Sequence, residues 1–179
     1  MAQLEDGKGR GFKQAVNDEN QALTKATIQS ELEHESEENG SAYNWSSDII
    51  DAAAGGATIL LVKNTSDTPL HIEKISISSG TTASEYTIHL PTTEVTVTGN
   101  TITGTNLNTA SSNVADALAA TQETNNTQGN VIGDVFLAVD RTEVLKTDGL
   151  ILGKNKSVAV DVVADADESS VTIIGHFEV

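Results

Sequence analysis

Four histidines supply the imidazoles with which this chain could hold a metal or move a proton: Leu32-Glu33-His34, Leu70-His71-Ile72, Ile88-His89-Leu90 and Gly175-His176-Phe177. Each lies in a stretch that reads as β-strand. No two stand at HxH or HExxH spacing, so a zinc or iron site would have to be assembled from distant strands. The plainer reading is four histidines on wet sheet faces or at interfaces. Serine is plentiful, but GxSxG is absent, so serine-hydrolase chemistry has no support. The glycine-rich GKGRG at residues 7–11 lacks the preceding strand and following helix of a phosphate cradle. The carboxylate pairs Glu37-Glu38 and Asp167-Glu168 fall in turns, whereas acid–base work needs burial and opposition. Asp161, Asp165, Asp167 and Glu168 gather near one strand end and could ligate calcium, a hard cation that accepts loop oxygens, although EF-hand spacing is missing. With no cysteine in the chain, disulfides, thiolate sites and cysteine nucleophiles are excluded. These residues point away from an enzyme, and no cofactor is expected.

The elements that would position them are strands. Ala57 to Ser79 is central: Thr58 to Val62 is β-branched and apolar on both phases, the pattern of a strand covered on both faces. Asn64 to Pro69 is a turn in which Asn64, Ser66 and Asp67 can bond their own backbone. Leu70 and Ile72 then share one face and Ile75 and Ile77 the other, a phase change that predicts a β-bulge near Glu73 and Lys74. Tyr86, Ile88 and Leu90 alternate with Glu85, Thr87 and His89, a strand with one wet face that stops at Pro91. Val95 and Val97 suggest another, with a return at Thr101 to Thr105. Val131, Val135, Leu137 and Val139 mark a further strand. The runs 149–152, 157–163 and 170–179 read as a closing meander.

Other stretches are less regular. Residues 1–22 are polar, with Gly7, Gly9 and Gly11 and the basic Lys8, Arg10 and Lys13, and read as a flexible arm suited to an acidic partner surface. Asn20 to Glu38 has a helix-favouring composition but alternates, and is read as a strand returning through Ala42 to Ser46. Tyr43 and Trp45 share a face of that return, with Trp45 a packing anchor. Asn106 to Asn130 is a polar insertion, read as an exposed projection in which Val114 to Ala120 could form a short helix.

Length and composition fit these elements. The chain of 179 residues suits one all-β unit, and with 3% aromatic residues its core must be aliphatic. The expected architecture is all-β, a β-sandwich of jelly-roll type over residues 23–179 with a flexible arm at 1–22. A formal net charge of −16 argues against nucleic acid or an anionic membrane as partner. No run approaches a transmembrane helix, and the first residues lack the apolar core of a secretory signal.

Three segments carry a resemblance: AYNW at Ala42 to Trp45, ILLVKNTSDTPLHIEKI at Ile59 to Ile75, and GLILGKNKSVAVDV at Gly149 to Val162. Together they resemble structural proteins of tailed-bacteriophage virions, over about 120 residues from Ile28 onward with the insertion left out. The resemblance implies a capsid decoration or minor head protein, without catalytic residues, on the outer surface of a phage head. It further implies a homotrimer that reinforces contacts between copies of a major capsid protein. The arm residues Lys8, Arg10, Phe12 and Lys13 would then contact the capsid. A receptor- or carbohydrate-binding module of a fibre or tail is the alternative.

Overall fold

The computed structural model describes residues 30–52, 58–124, 126–127, 129–163 and 166–178. A helical turn, Glu31–His34, runs into a π turn, Glu35–Asn39. Among the described residues twelve strands follow: β1 Ala42–Ser46, β2 Ile50–Ala52, β3 Thr58–Asn64, β4 Leu70–Ser79, β5 Ser84–Leu90, β6 Asn100–Ile102, β7 Thr105–Asn106, β8 Ala117–Thr121, β9 Asn130–Leu137, β10 Thr142–Leu152, β11 Ser157–Val162 and β12 Ala166–Phe177. Every pairing among them is antiparallel, and they form two sheets of six. One is ordered β10-β4-β12-β1-β7, with β2 also on β12; the other is β6-β8-β3-β11-β5-β9.

The core lies between the sheets and is aliphatic, as the composition requires. Leu60, Val62, Ile88, Val158, Val160 and Val162 meet Leu70, Ile72, Ile75, Ile77, Val171 and Ile173. At one end sits a small aromatic group, in which Tyr43 packs against Trp45 and edge-on against Phe177, each at 6.0 Å between centroids. Trp45 is the expected anchor, with no exposed surface. Gly104 lies against it so closely that an added Cβ would stand 2.5 Å from the indole Nε1 and 2.9 Å from Cε2. Gly104→Ala is therefore expected to cost about 1–3 kcal/mol, since the fully packed ring has nowhere to move. Urea denaturation reads this, and an unchanged midpoint would mean that the ring can shift.

β3 is buried at every position and sits between β8 and β11, as its doubly apolar pattern predicts. Its outer face is covered by the segment 91–98. Val95 packs with Leu61 and Ala159, and Lys63 fastens the segment by donating to Glu94 Oε1 (2.8 Å) and the Val95 carbonyl (2.9 Å). The expected strand through Val95 and Val97 is thus an irregular strap, because Val95 is packed on a sheet face rather than aligned at an edge. The bulge on β4 is where the phase change puts it: Lys74 faces Ile174 and Ile72 faces Gly175, leaving Glu73 as the extra residue. The Asn64 turn also forms as expected, with Ser66 N–H donating to Asn64 Oδ1 at 2.8 Å.

Four expectations are corrected. Glu31–Asn39 is helical rather than strand, in keeping with its Glu-rich composition, while the earlier part of that stretch lies outside the described residues. Val114 to Ala120 is not a helix: Ala117–Thr121 is β8, paired to both β3 and β6, and its small side chains fit where Ala119 and Ala120 are fully buried. The insertion therefore contributes a strand to the sandwich. β10, β11 and β12 do not pair with one another, because each short turn between them crosses to the opposite sheet. Finally, the wet face expected on β5 is closed at Thr87 and His89, both buried.

Candidate functional site

The richest cluster of titratable groups lies where the helical turn meets the outer face of the β4/β12 pair. His71 and His176 are cross-strand partners, and antiparallel register stacks their rings at 5.0 Å and 21°. His176 is fully buried, and neither of its ring nitrogens has a hydrogen-bond partner among the described residues. Its Nδ1 stands 3.5 Å from Glu73 Oε1, placed there by the bulge, and His71 Nε2 stands 3.3 Å from Glu178 Oε2. Burial holds the His176 imidazole below its ordinary pKa, with His71 adding to the shift and Glu73, Glu31 and Glu35 opposing it.

Glu35 anchors the turn beside this pair. Its carboxylate accepts from Ser41 Oγ (2.7 Å) and Asn39 Nδ2 (2.7 Å), and its carbonyl accepts from Ser41 N–H (2.9 Å). Burial pushes this carboxyl up, but the bonds from Asn39 and Ser41, together with His176 and His34, outweigh it and leave the pKa lowered. Helical carbonyls at a C-terminus lack internal donors, and here asparagines provide them. Asn108 Nδ2 donates to the Ser36 carbonyl (3.0 Å), Asn113 Nδ2 to that of Asn39 (3.0 Å) and Asn106 Nδ2 to that of Gly40 (2.8 Å). Gly40 is left-handed, at φ 60°, and its hydrogen faces the Ser111 side chain. The asparagine-rich start of the insertion is thus a clasp on the turn.

A second polar cluster sits on the outer face of the other sheet. Gly129 N–H donates to His89 Nδ1 (3.1 Å), so a neutral His89 carries its proton on Nε2 and donates it to Asp161 Oδ2 (2.8 Å). Asp161 Oδ1 accepts from Thr58 Oγ1 (2.7 Å), and Thr58 Oγ1 accepts from Asn126 Nδ2 (3.0 Å). The hydroxyl here donates to the carboxylate and not to the imidazole, so this is no nucleophile–base pair. It binds Asn126 and Gly129 down over β3, β5 and β11.

The sequence-derived candidates divide accordingly. Asp161 is occupied by that network, while Asp165 and the Asp167 side chain lie outside the described residues, as do Lys8, Arg10, Phe12 and Lys13. Among the described residues no three His, Asp or Glu side chains are placed to hold a metal ion. Glu37 and Glu38 are exposed on the π turn. His34 is exposed on the helical turn, whereas His71, His89 and His176 are in strands as expected. Reasoning from sequence missed the His71–His176 pair because register between strands over a hundred positions apart leaves no local spacing. One surface feature is also new: the edge strand β9 exposes Val131, Ile132 and Phe136, the last at 74%. A bulge at Ile132 breaks the alternation that put Val131 on the same face as Val135.

No protein-family model matches the chain, and no curated protein or solved structure matches it.

Proposed function

We propose that this chain is a non-enzymatic virion structural protein, a capsid decoration protein seated on the outer surface of a phage head. In this reading the sandwich is a jelly roll. Supporting that assignment, β1 pairs with β12, β3 with β11, β4 with β10 and β5 with β9. These are the nested partners of one long antiparallel ribbon, and rolling that ribbon up explains why β4 also meets β12 and β5 also meets β11.

The observation that carries the functional reading is the apolar edge at Val131, Ile132 and Phe136. Large side chains left in water together on an edge strand mark a face that meets protein. The polar clusters, by contrast, are occupied in holding loops to sheets. The partners in this proposal are the major capsid protein and two further copies of the chain, in a homotrimer that ties neighbouring capsomers together, with Lys8, Arg10, Phe12 and Lys13 gripping the shell. The carbohydrate-binding alternative needs an exposed aromatic platform; Tyr43, Trp45 and Tyr86 are all buried, and Phe136 is the exposed aromatic ring among the described residues.

Capsid co-sedimentation tests the proposal. The full chain is expected to bind at stoichiometric occupancy, and deletion of residues 1–22 to reduce that occupancy at least tenfold. Binding by the full chain that survives the deletion would remove the arm from the mechanism. No binding by the full chain would end the proposal.

A further inference from the structure

His176 is an unusual thing to bury. A neutral imidazole carries one N–H donor and one acceptor nitrogen, and neither finds a hydrogen-bond partner among the described residues. Closure of the fold around it forgoes the bonds that water would give. The charged form fares worse, because it would be desolvated and stacked 5.0 Å from His71, a neighbour that can also take a proton. The compensating charge is Glu73, and at 3.5 Å it stands at the outer limit of hydrogen-bond reach.

Every element around His176 contributes to the balance. β4 brings His71, Glu73 and Lys74, and β12 is followed by Glu178 beside His71. β10 places Lys146 opposite Lys74 and Ile151 opposite His71. β1 offers Ala42 opposite His176, and no charge. The helical turn adds Glu31, His34 and Glu35. The turn stands apart from the strand ladders. Among the described residues it has no strand partners, is four plus five residues long, and its ties include Glu35, Ser41 and the three clasping asparagines.

We infer that the segment Glu31–Gly40 is an acid-released latch: it stays closed while His176 is neutral and opens when His176 takes a proton. Opening lets water reach both ring nitrogens, a gain that outweighs the loss of Glu31 and Glu35 as neighbours of the new charge. The sign follows from linkage. A group whose pKa is lower in the closed state than in the open one favours the closed state at neutral pH, and that preference fades as pH falls below about 6.5, the ordinary histidine value. Burial places His176 in this class. Glu35 acts in the same direction but in another window, since its lowered carboxyl loses its contribution only below about 4.5. The inference does not depend on the capsid reading.

Hydrogen exchange on the full chain, corrected for the intrinsic pH dependence of exchange, tests it. Amides in 35–41 are expected to lose protection between pH 6.5 and 5 by up to tenfold per pH unit, the limit for one coupled proton, while those of β3 and β11 keep theirs. His176→Gln should flatten this dependence. To cover loss of the fold in the glutamine variant, the His176 ring is also followed by NMR in the unaltered chain, where its titration midpoint should fall below about 6.5, the ordinary histidine value. A midpoint at or above that value, an unchanged pH slope in a folded His176→Gln, or loss of protection in all strands together would overturn the latch.

Discussion

Trp45→Ala is expected to take away a large part of the stability of the sandwich. The indole has no exposed surface and touches Tyr43, which in turn packs on Phe177. Removing it opens a large void that the strands around it cannot collapse to fill. Such truncations cost about 3–5 kcal/mol, against a total stability on the order of 5–15 kcal/mol for a domain. Urea unfolding followed by circular dichroism should show a much lower midpoint, or no native baseline. Phe136→Ala is the matched control, an aromatic truncation at a side chain 74% exposed, and should change stability by less than about 0.5 kcal/mol. If the two variants behaved alike, the aromatic group around Trp45 would not be the anchor described.

Asp161→Ala carries the second large effect. It leaves the fully buried His89 with an N–H that no acceptor meets, and it orphans the Thr58 hydroxyl. Unmet buried donors cost about 1–3 kcal/mol each. The side chain of Asp161 is 16% exposed, so water can partly replace it, and a loss of about 3 kcal/mol in all is expected. The sharper test is the double variant Asp161→Ala with His89→Leu. Removing both partners leaves no unmet donor on the histidine, and part of the single-variant loss should return. Strict additivity in a double-mutant cycle would mean that the two side chains do not act as a pair.

What could be read from the chain alone was what is encoded locally. The doubly apolar run at Thr58 to Val62, the side-chain turn at Asn64 and the phase change at Glu73 each rest on neighbouring residues, and each appears in the fold. The errors came where tertiary context decides. Val114 to Ala120 has alanines that suit a short helix, but a gap beside β3 admits only small side chains and claims Ala117–Thr121 as a strand. Val95 and Val97 look like a strand, yet they serve as a lid on Leu61 and Ala159. The closing runs read as a meander because consecutive strands often pair, and here their partners are strands read much earlier in the chain. The site was least legible of all. The His71–His176 stack depends on a register between β4 and β12, and the asparagine clasp joins side chains at 106–113 to carbonyls at 36–40.

The places of β11 and β12 govern the order in which this molecule can be built. β12 lies between β4 and β1, and β11 lies between β3 and β5, so each sheet is missing an inner strand until residues 157–177 have left the ribosome. Before then β1, β3, β4 and β5 each have one edge without its neighbour, although β7, β8, β10 and β9 can pair with the other. Closing contacts between residues as far apart as Ala42 and His176 requires loops of more than a hundred residues, so folding is expected to be slow, in roughly the millisecond-to-second range of topologies rich in distant pairings. During that interval a net charge of −16 opposes association between half-formed sheets on neighbouring chains.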